Sequence, residues 1–202
     1  MSALPEFPTP TTPPRRRARR LPPPYVQREP LGPWRERLSL RDGRSLLLRP
    51  IEPADAPALI EGFKVLTPEE VRARFQHPLN ELTPEMARTL TELDPKRAFA
   101  LVLAEPEDPG SALVGAVARV SLSPDRREAE FALIVGRPLA GQGLGRYLLQ
   151  KLVEWCRRRG VETLYGDVSN DNTAMLRVAA SLGFTREHRH GEAGYVRVTK
   201  LL

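Results

Sequence analysis

The amino-acid sequence predicts an α+β domain: a mixed, mostly antiparallel central sheet flanked by helices, behind a disordered N-terminal arm. Three observations predict it. A first strand-like run is followed by three helical runs; three strand-like runs then succeed one another with only turn formers between them; and a glycine-rich turn opens one long amphipathic helix, after which strand and helix alternate to the end. With 41% hydrophobic residues in 202, the chain suffices for a single domain with a proper core.

The arm comes first. Residues 1–37 hold ten of the 21 prolines and eight arginines against three glutamates, a net +5 of the chain's +6. So few large apolar groups cannot offset the entropy of ordering, and the stretch is expected to be disordered, with the folded domain at 38–202. The run "PPRRRARRLPPP" suits an acidic partner or a solvated tail. It has almost no aromatics to stack on bases, so nucleic acid is not an expected partner.

"RSLLLRPI" (44–51) reads as a strand and "PADAPALIEGF" (53–63) as a helix opened by proline. Thr67 begins "TPEEVRARF", with proline at the first helical position and Glu70 three residues on, the spacing of a capping box. "TPEMARTLTEL" (83–93) repeats that chemistry. The runs 98–105, 112–122 and 129–135 are separated by "PEDPGS" and "SPDRR", so an antiparallel meander is expected. From Leu144, the residues Leu148, Leu152 and Trp155 form one apolar stripe, ending in three arginines and Gly160. A strand at 161–169, a helix at 170–183 and a strand at 195–202 complete the chain.

The stretch "AGQGLGRYLL" (140–149) places three glycines at alternate positions in front of a helix that needs none of them. Glycines let backbone N–H groups approach a ligand, and a helix N-terminus adds about half a positive charge, so the segment suits an anion such as a phosphate. A P-loop would need Lys and Ser or Thr where Arg146 and Tyr147 stand. A dinucleotide fingerprint would need a third glycine where Arg146 or Leu148 stands, and too little chain follows for a second nucleotide-binding half.

Two segments together narrow the guest. "AGQGLGRYLLQKL" resembles the pyrophosphate loop and following helix of the GNAT superfamily of acyl-CoA-dependent N-acyltransferases, and "NDNTAMLRVAASLGF" resembles that superfamily's second coenzyme A motif. "LRDGRSLLLRPIEPADAPAL", "RFQHPL" and "REAEFALIV" extend the likeness to the GNAT domain of bacterial protein lysine acetyltransferases, over about residues 34–202. The resemblance implies acetyl-CoA as cosubstrate, no metal, and a protein lysine as acceptor, with acyl-CoA synthetases as the substrate class. Backbone N–H groups of Gln142, Gly143, Gly145 and Arg146 would hold the pyrophosphate and Asn172 the pantetheine or phosphate portion. The strand at 129–135, Ile134 and Val135 included, would pair with the pantetheine amides and offer an N–H to the developing oxyanion. Glu130 stands where the family keeps a catalytic glutamate, with Glu128 as its fallback on the same strand face. Two other readings remain open: a non-catalytic acyl-CoA-binding module with a basic arm, and an acetyltransferase of small amines.

A glutamate has a demanding task there. A lysine of pKa about 10.4 is neutral in about one molecule in 2,500 at pH 7, a deficit of about 4.6 kcal/mol that a base or a desolvating pocket must partly supply. Two positions depart from the family pattern: Ala140 replaces the loop's usual Arg or Gln, and Ala179 replaces the tyrosine that often protonates the departing thiolate. The lone Cys156 is expected to be a buried small hydrophobe, and His188 and His190 to be surface residues rather than metal ligands. His77 either borders the acceptor groove or packs at a helix end. With no apolar run of about 18 residues, no membrane is expected as a partner, and the cytoplasm is the expected compartment.

Overall fold

The computed structural model describes residues 22–75, 77–187 and 194–202. They form a nine-stranded sheet. Its strands, in chain order, are β1 (Tyr25–Gly32), β2 (Arg35–Leu40), β3 (Ser45–Pro50), β4 (Ala98–Ala104), β5 (Val114–Leu122), β6 (Glu128–Val135), β7 (Thr163–Ser169), β8 (Thr185–Glu187) and β9 (Tyr195–Leu201). Across the sheet the order is β1-β2-β3-β4-β5-β6-β7-β9-β8. Every neighbouring pair is antiparallel except β6–β7, which the helix α4 (Leu144–Arg158) connects.

The sheet separates two layers. On one face Leu38, Leu48, Leu101, Leu103, Ala118, Val120 and Phe131 pack with Leu144, Leu148 and Leu152 of α4 and with α5 (Thr173–Ser181) to form the main core. The opposite face carries a smaller cluster of Ile51, Ala100, Val102 and Ala104 under α1 (Ala56–Lys64). Beside it, α1, α2 (Pro68–Phe75) and α3 (Pro84–Thr91) pack on one another through Phe63, Val71 and Ala87. Arg49, at the end of β3, makes a two-pronged bond to Asp55, both prongs 2.7 Å and both side chains fully buried; this joins the start of α1 to the sheet.

The capping reading holds in detail. The Thr67 amide donates to Glu70 and the Glu70 amide to Thr67 Oγ1, and Thr83 accepts from the Met86 amide in the same way. The expected meander is β4-β5-β6.

The expected arm over 1–37 needs correction. Residues 1–21 lie outside the described residues, but Tyr25–Gly32 and Arg35–Leu40 are a hairpin of the main sheet. β1 is an edge strand exposed almost throughout, so no apolar alternation marks it in the sequence. It is held by the ladder, by the Arg28–Glu36 and Arg37–Glu29 ion pairs, and by Tyr25, whose ring meets Tyr147 edge-on at 5.7 Å. Among the described residues the sheet therefore begins at Tyr25 rather than at 38.

Candidate active site

β6 is fully laddered to β5, from Leu122↔Ala129 to Ala116↔Val135. To β7 it is paired at only three positions, ending at Glu130↔Tyr165. β7 continues beside β9 to Ser169, so beyond Glu130 the two parallel strands part. The Phe131 ring stands at the fork: a Cβ on Gly166 would lie 2.7 Å from it, so only glycine fits where β7 passes. From Phe131 to Val135 the β7-side edge of β6 has no strand beside it among the described residues. Its N–H and C=O groups are available to an extended ligand carrying amides.

That edge leads to the glycine turn. Gly141 and Gly143 take φ of +74° and +83°, which L residues rarely adopt. Gly143 caps α4 without a side chain, and the first turn of α4 contains no acid. α2 and α3, by contrast, begin with a threonine followed by glutamate. The N-terminal amides of α4 thus keep their partial positive charge for a ligand. The turn is braced from the β2–β3 connection: Arg44 donates to Asp42 and to the Pro138 carbonyl at 2.7 Å, and Gln142 Nε2 donates to Asp42 at 3.1 Å.

The residues singled out from the sequence fall as follows. Glu130 is half-buried at the last paired position, and Glu128 is exposed at the start of the strand. Val135 and Leu133 lie toward Gly145, whereas Ile134 lines a cavity of about 980 Å³ on the other face, under α1 and α2. Arg146 Nε donates to Ser181 Oγ on α5 at 3.3 Å, so part of its guanidinium is already engaged. Asn172 Oδ1 caps α5 by accepting from the Met175 amide. Cys156 is buried, and burial pushes its thiol up to about 12, as suits an inert hydrophobe. His77 is exposed, 6.4 Å from the Phe75 ring, while His188 and His190 lie outside the described residues.

Several neighbours of Glu130 carry no motif. Tyr165 stands opposite it on β7; burial, and then the Glu130 charge, raises its phenol. Arg197 lies 4.1 Å over the Tyr165 ring and is paired with Asp167 at 2.7 and 2.5 Å. Arg74 on α2 is pushed down to about 10 by burial and by Arg119, with Glu130 opposing. Arg119 offered one signal, a charge in the middle of the apolar run "GAVARV". Arg74, in "VRARF", reads as an ordinary helix-surface charge, and the contact of Asp42 with Gln142 spans 100 residues, beyond any local pattern.

A family model described as an acetyltransferase (GNAT) domain matches residues 45–185. The chain is 29% identical over 146 residues to an acetyltransferase of Pseudomonas aeruginosa, covering 72% of this chain and 78% of that one. It is 28% identical over 149 residues to the acetyltransferase Pat of Mycolicibacterium smegmatis, covering 72% of this chain but 43% of Pat. Among solved structures, the GNAT domain of S. lividans PAT matches with a TM-score of 0.72 and 26% identity, over 84% of this chain and 97% of that domain.

Proposed function

Because the chain belongs to the acetyltransferase (GNAT) domain family, we propose that it is an acetyl-CoA-dependent protein N-ε-lysine acetyltransferase, acting in the cytoplasm on proteins of the acyl-CoA synthetase class. The observation that carries the acyl-transfer half is the fork of β6 and β7 at Glu130, with a free strand edge running from it to the glycine turn. The lysine half is supported by the likeness to the Pat of M. smegmatis and to the PAT domain of S. lividans.

Acetyl-CoA supplies an activated thioester. The amides of Gln142, Gly143, Gly145 and Arg146 hold its pyrophosphate against the positive end of α4, and the free amide Nδ2 of Asn172 is available to the pantetheine or phosphate portion. The edge of β6, through Ile134 and Val135, fixes the pantetheine so that the thioester lies at the fork, where a β6 N–H meets the oxygen as charge develops on it. Glu130 takes the ammonium proton of the acceptor lysine through a water molecule. The neutral amine then attacks the carbonyl carbon, the N–C bond forms, the C–S bond breaks with its electron pair on sulfur, and the nitrogen gives up its second proton to the thiolate or to water. A thiolate of ordinary pKa about 8.5 leaves with little help, which accommodates Ala179 in place of a proton-donating tyrosine.

Replacing Glu130 with Gln is expected to lower CoA release, with an acyl-CoA synthetase as acceptor, by about 100-fold while acetyl-CoA affinity survives. Unchanged turnover would remove Glu130 from the reaction. Mass mapping of the acceptor after incubation with labelled acetyl-CoA checks the lysine assignment.

A further inference from the structure

α1 and α2 do not seal the sheet beneath them. The 980 Å³ cavity between these helices and the face of β3–β6 is lined chiefly by apolar side chains, among them Leu59, Phe63, Phe75, Val117 and Ile134, yet four arginines also line it: Arg44 and Arg137 at its rim, engaged by Asp42 and Glu70, and Arg74 from α2 and Arg119 from β5. The ladder neighbours of Arg119 are Ala100 on β4 and Ala132 on β6, so small side chains flank it on both sides. Its diagonal neighbour is Glu130, about 7–8 Å away by strand geometry, since Glu130 stands opposite Ser121.

Among the described residues, neither guanidinium has a hydrogen-bonded or ion-paired partner; Arg74 rests 5.0 Å over the Phe75 ring. Other carboxylates along the cavity are occupied or distant. Glu70 is held by Arg137, and Glu61 by Lys64. Glu105, just past the end of β4, lies five residues from the position opposite Arg119, about 17 Å away, and Glu107 follows it in the β4–β5 connection. Two positive charges without an ion-pair partner among the described residues therefore share a largely apolar cleft, with Glu130 near them but outside its lining. Burial lowers both arginines from their ordinary range, yet a guanidinium stays protonated at neutral pH. Even partial withdrawal of such a charge from water without a counter-ion costs free energy, and the fork of a guanidinium matches a carboxylate well.

We propose that Arg74 and Arg119 form an anion-binding site that receives a carboxylate carried by a substrate, beside the reacting centre at Glu130. The inference rests on the acyl-transfer reading above and names a further substrate feature. Two sources share this chemistry: the free end of a dicarboxylic acyl group carried on coenzyme A, or a carboxylate on the amine acceptor.

Two matched pairs separate them, each measured on the full chain. Succinyl-CoA is compared with butyryl-CoA by calorimetric binding, and L-lysine with 1,5-diaminopentane by CoA release from acetyl-CoA. The carboxylated member of one pair is expected to be favoured by at least about tenfold, and Arg119→Met and Arg74→Met are expected to bring that ratio within about twofold. The pair that responds identifies the source. Equal behaviour within both pairs, or a preference that survives both substitutions, overturns the site. Neither guanidinium has a partner to lose, so Arg119→Met is expected to melt no lower than the parent; a drop of several degrees would mark a structural arginine and also overturn it. Failure of the parent to bind acetyl-CoA would instead overturn the acyl-transfer reading itself.

Discussion

At position 145 an alanine would fit. Its Cβ would lie 3.7 Å from Val135 Cγ2 and 3.8 Å from Leu133 Cδ2, ordinary contacts, and the backbone there is already helical. Gly141 and Gly143 differ, because their positive φ requires glycine. A helical glycine costs up to about 1 kcal/mol relative to alanine, so Gly145 has no return within the fold. Close approach of a ligand to the first turn of α4 supplies one. Gly145→Ala is therefore expected to hold or slightly raise the melting temperature while weakening acetyl-CoA binding by about tenfold, about 1.4 kcal/mol. Calorimetric titration beside a thermal melt checks both halves. A loss of stability with unchanged affinity would reassign Gly145 to the fold.

Where β6 and β7 part, the buried Phe131 ring takes the space that a side chain at position 166 of β7 would need, and Phe131 is itself in edge-on contact with Phe184 at 5.6 Å. Gly166→Ala forces that ring against its neighbours, an overpacking cost of about 1–3 kcal/mol. The expected outcome is a lower urea midpoint with an unchanged m-value, together with weaker acetyl-CoA binding, because the free edge moves with the ring. The helices were more legible than the strands. The Thr67, Thr83 and Gly160 signals act within four residues of the chain, whereas an edge strand such as β1 is held by partners that no local window contains.

Across the whole molecule, the first hairpin is tied to α4 by a buried cluster. Glu36 on β2 accepts from Lys151 and Tyr147 of α4 and pairs with Arg28 of β1. Burial alone would raise the Glu36 carboxyl, but the hydrogen bonds from Lys151 and Tyr147 and the charges of Lys151 and Arg28 carry it below the usual range. A carboxyl depressed in the folded state stabilises above its unfolded pKa of about 4.3, and that contribution fades as pH falls through the folded value. Glu36→Gln is expected to cost about 3 kcal/mol at pH 7, since it leaves Lys151 buried without its counter-charge. The gap between parent and variant should narrow in melts below about pH 4. A gap of constant size down to pH 3 would show that the carboxylate charge is not what holds the hairpin.

The sequence by itself determined the α+β class, the meander, the caps and the glycine turn, together with the candidates Glu130, Gln142, Gly143, Gly145, Arg146 and Asn172. The first four depend on chemistry within a few residues; the candidate residues come from the resemblance to the acetyltransferase family that the two motifs carry. It did not disclose that Tyr25–Leu40 joins the sheet, because β1 buries little and the first of the three inward positions of β2 is taken by a glutamate, ahead of Leu38 and Leu40. Only the tertiary structure decided that β6 and β7 part at Glu130, that Asp42 and Arg44 brace the turn, and that Arg74 and Arg119 share a cavity without a partner among the described residues. Those features arise where distant segments meet, so their physics lies in the packing and not in any local stretch of chain.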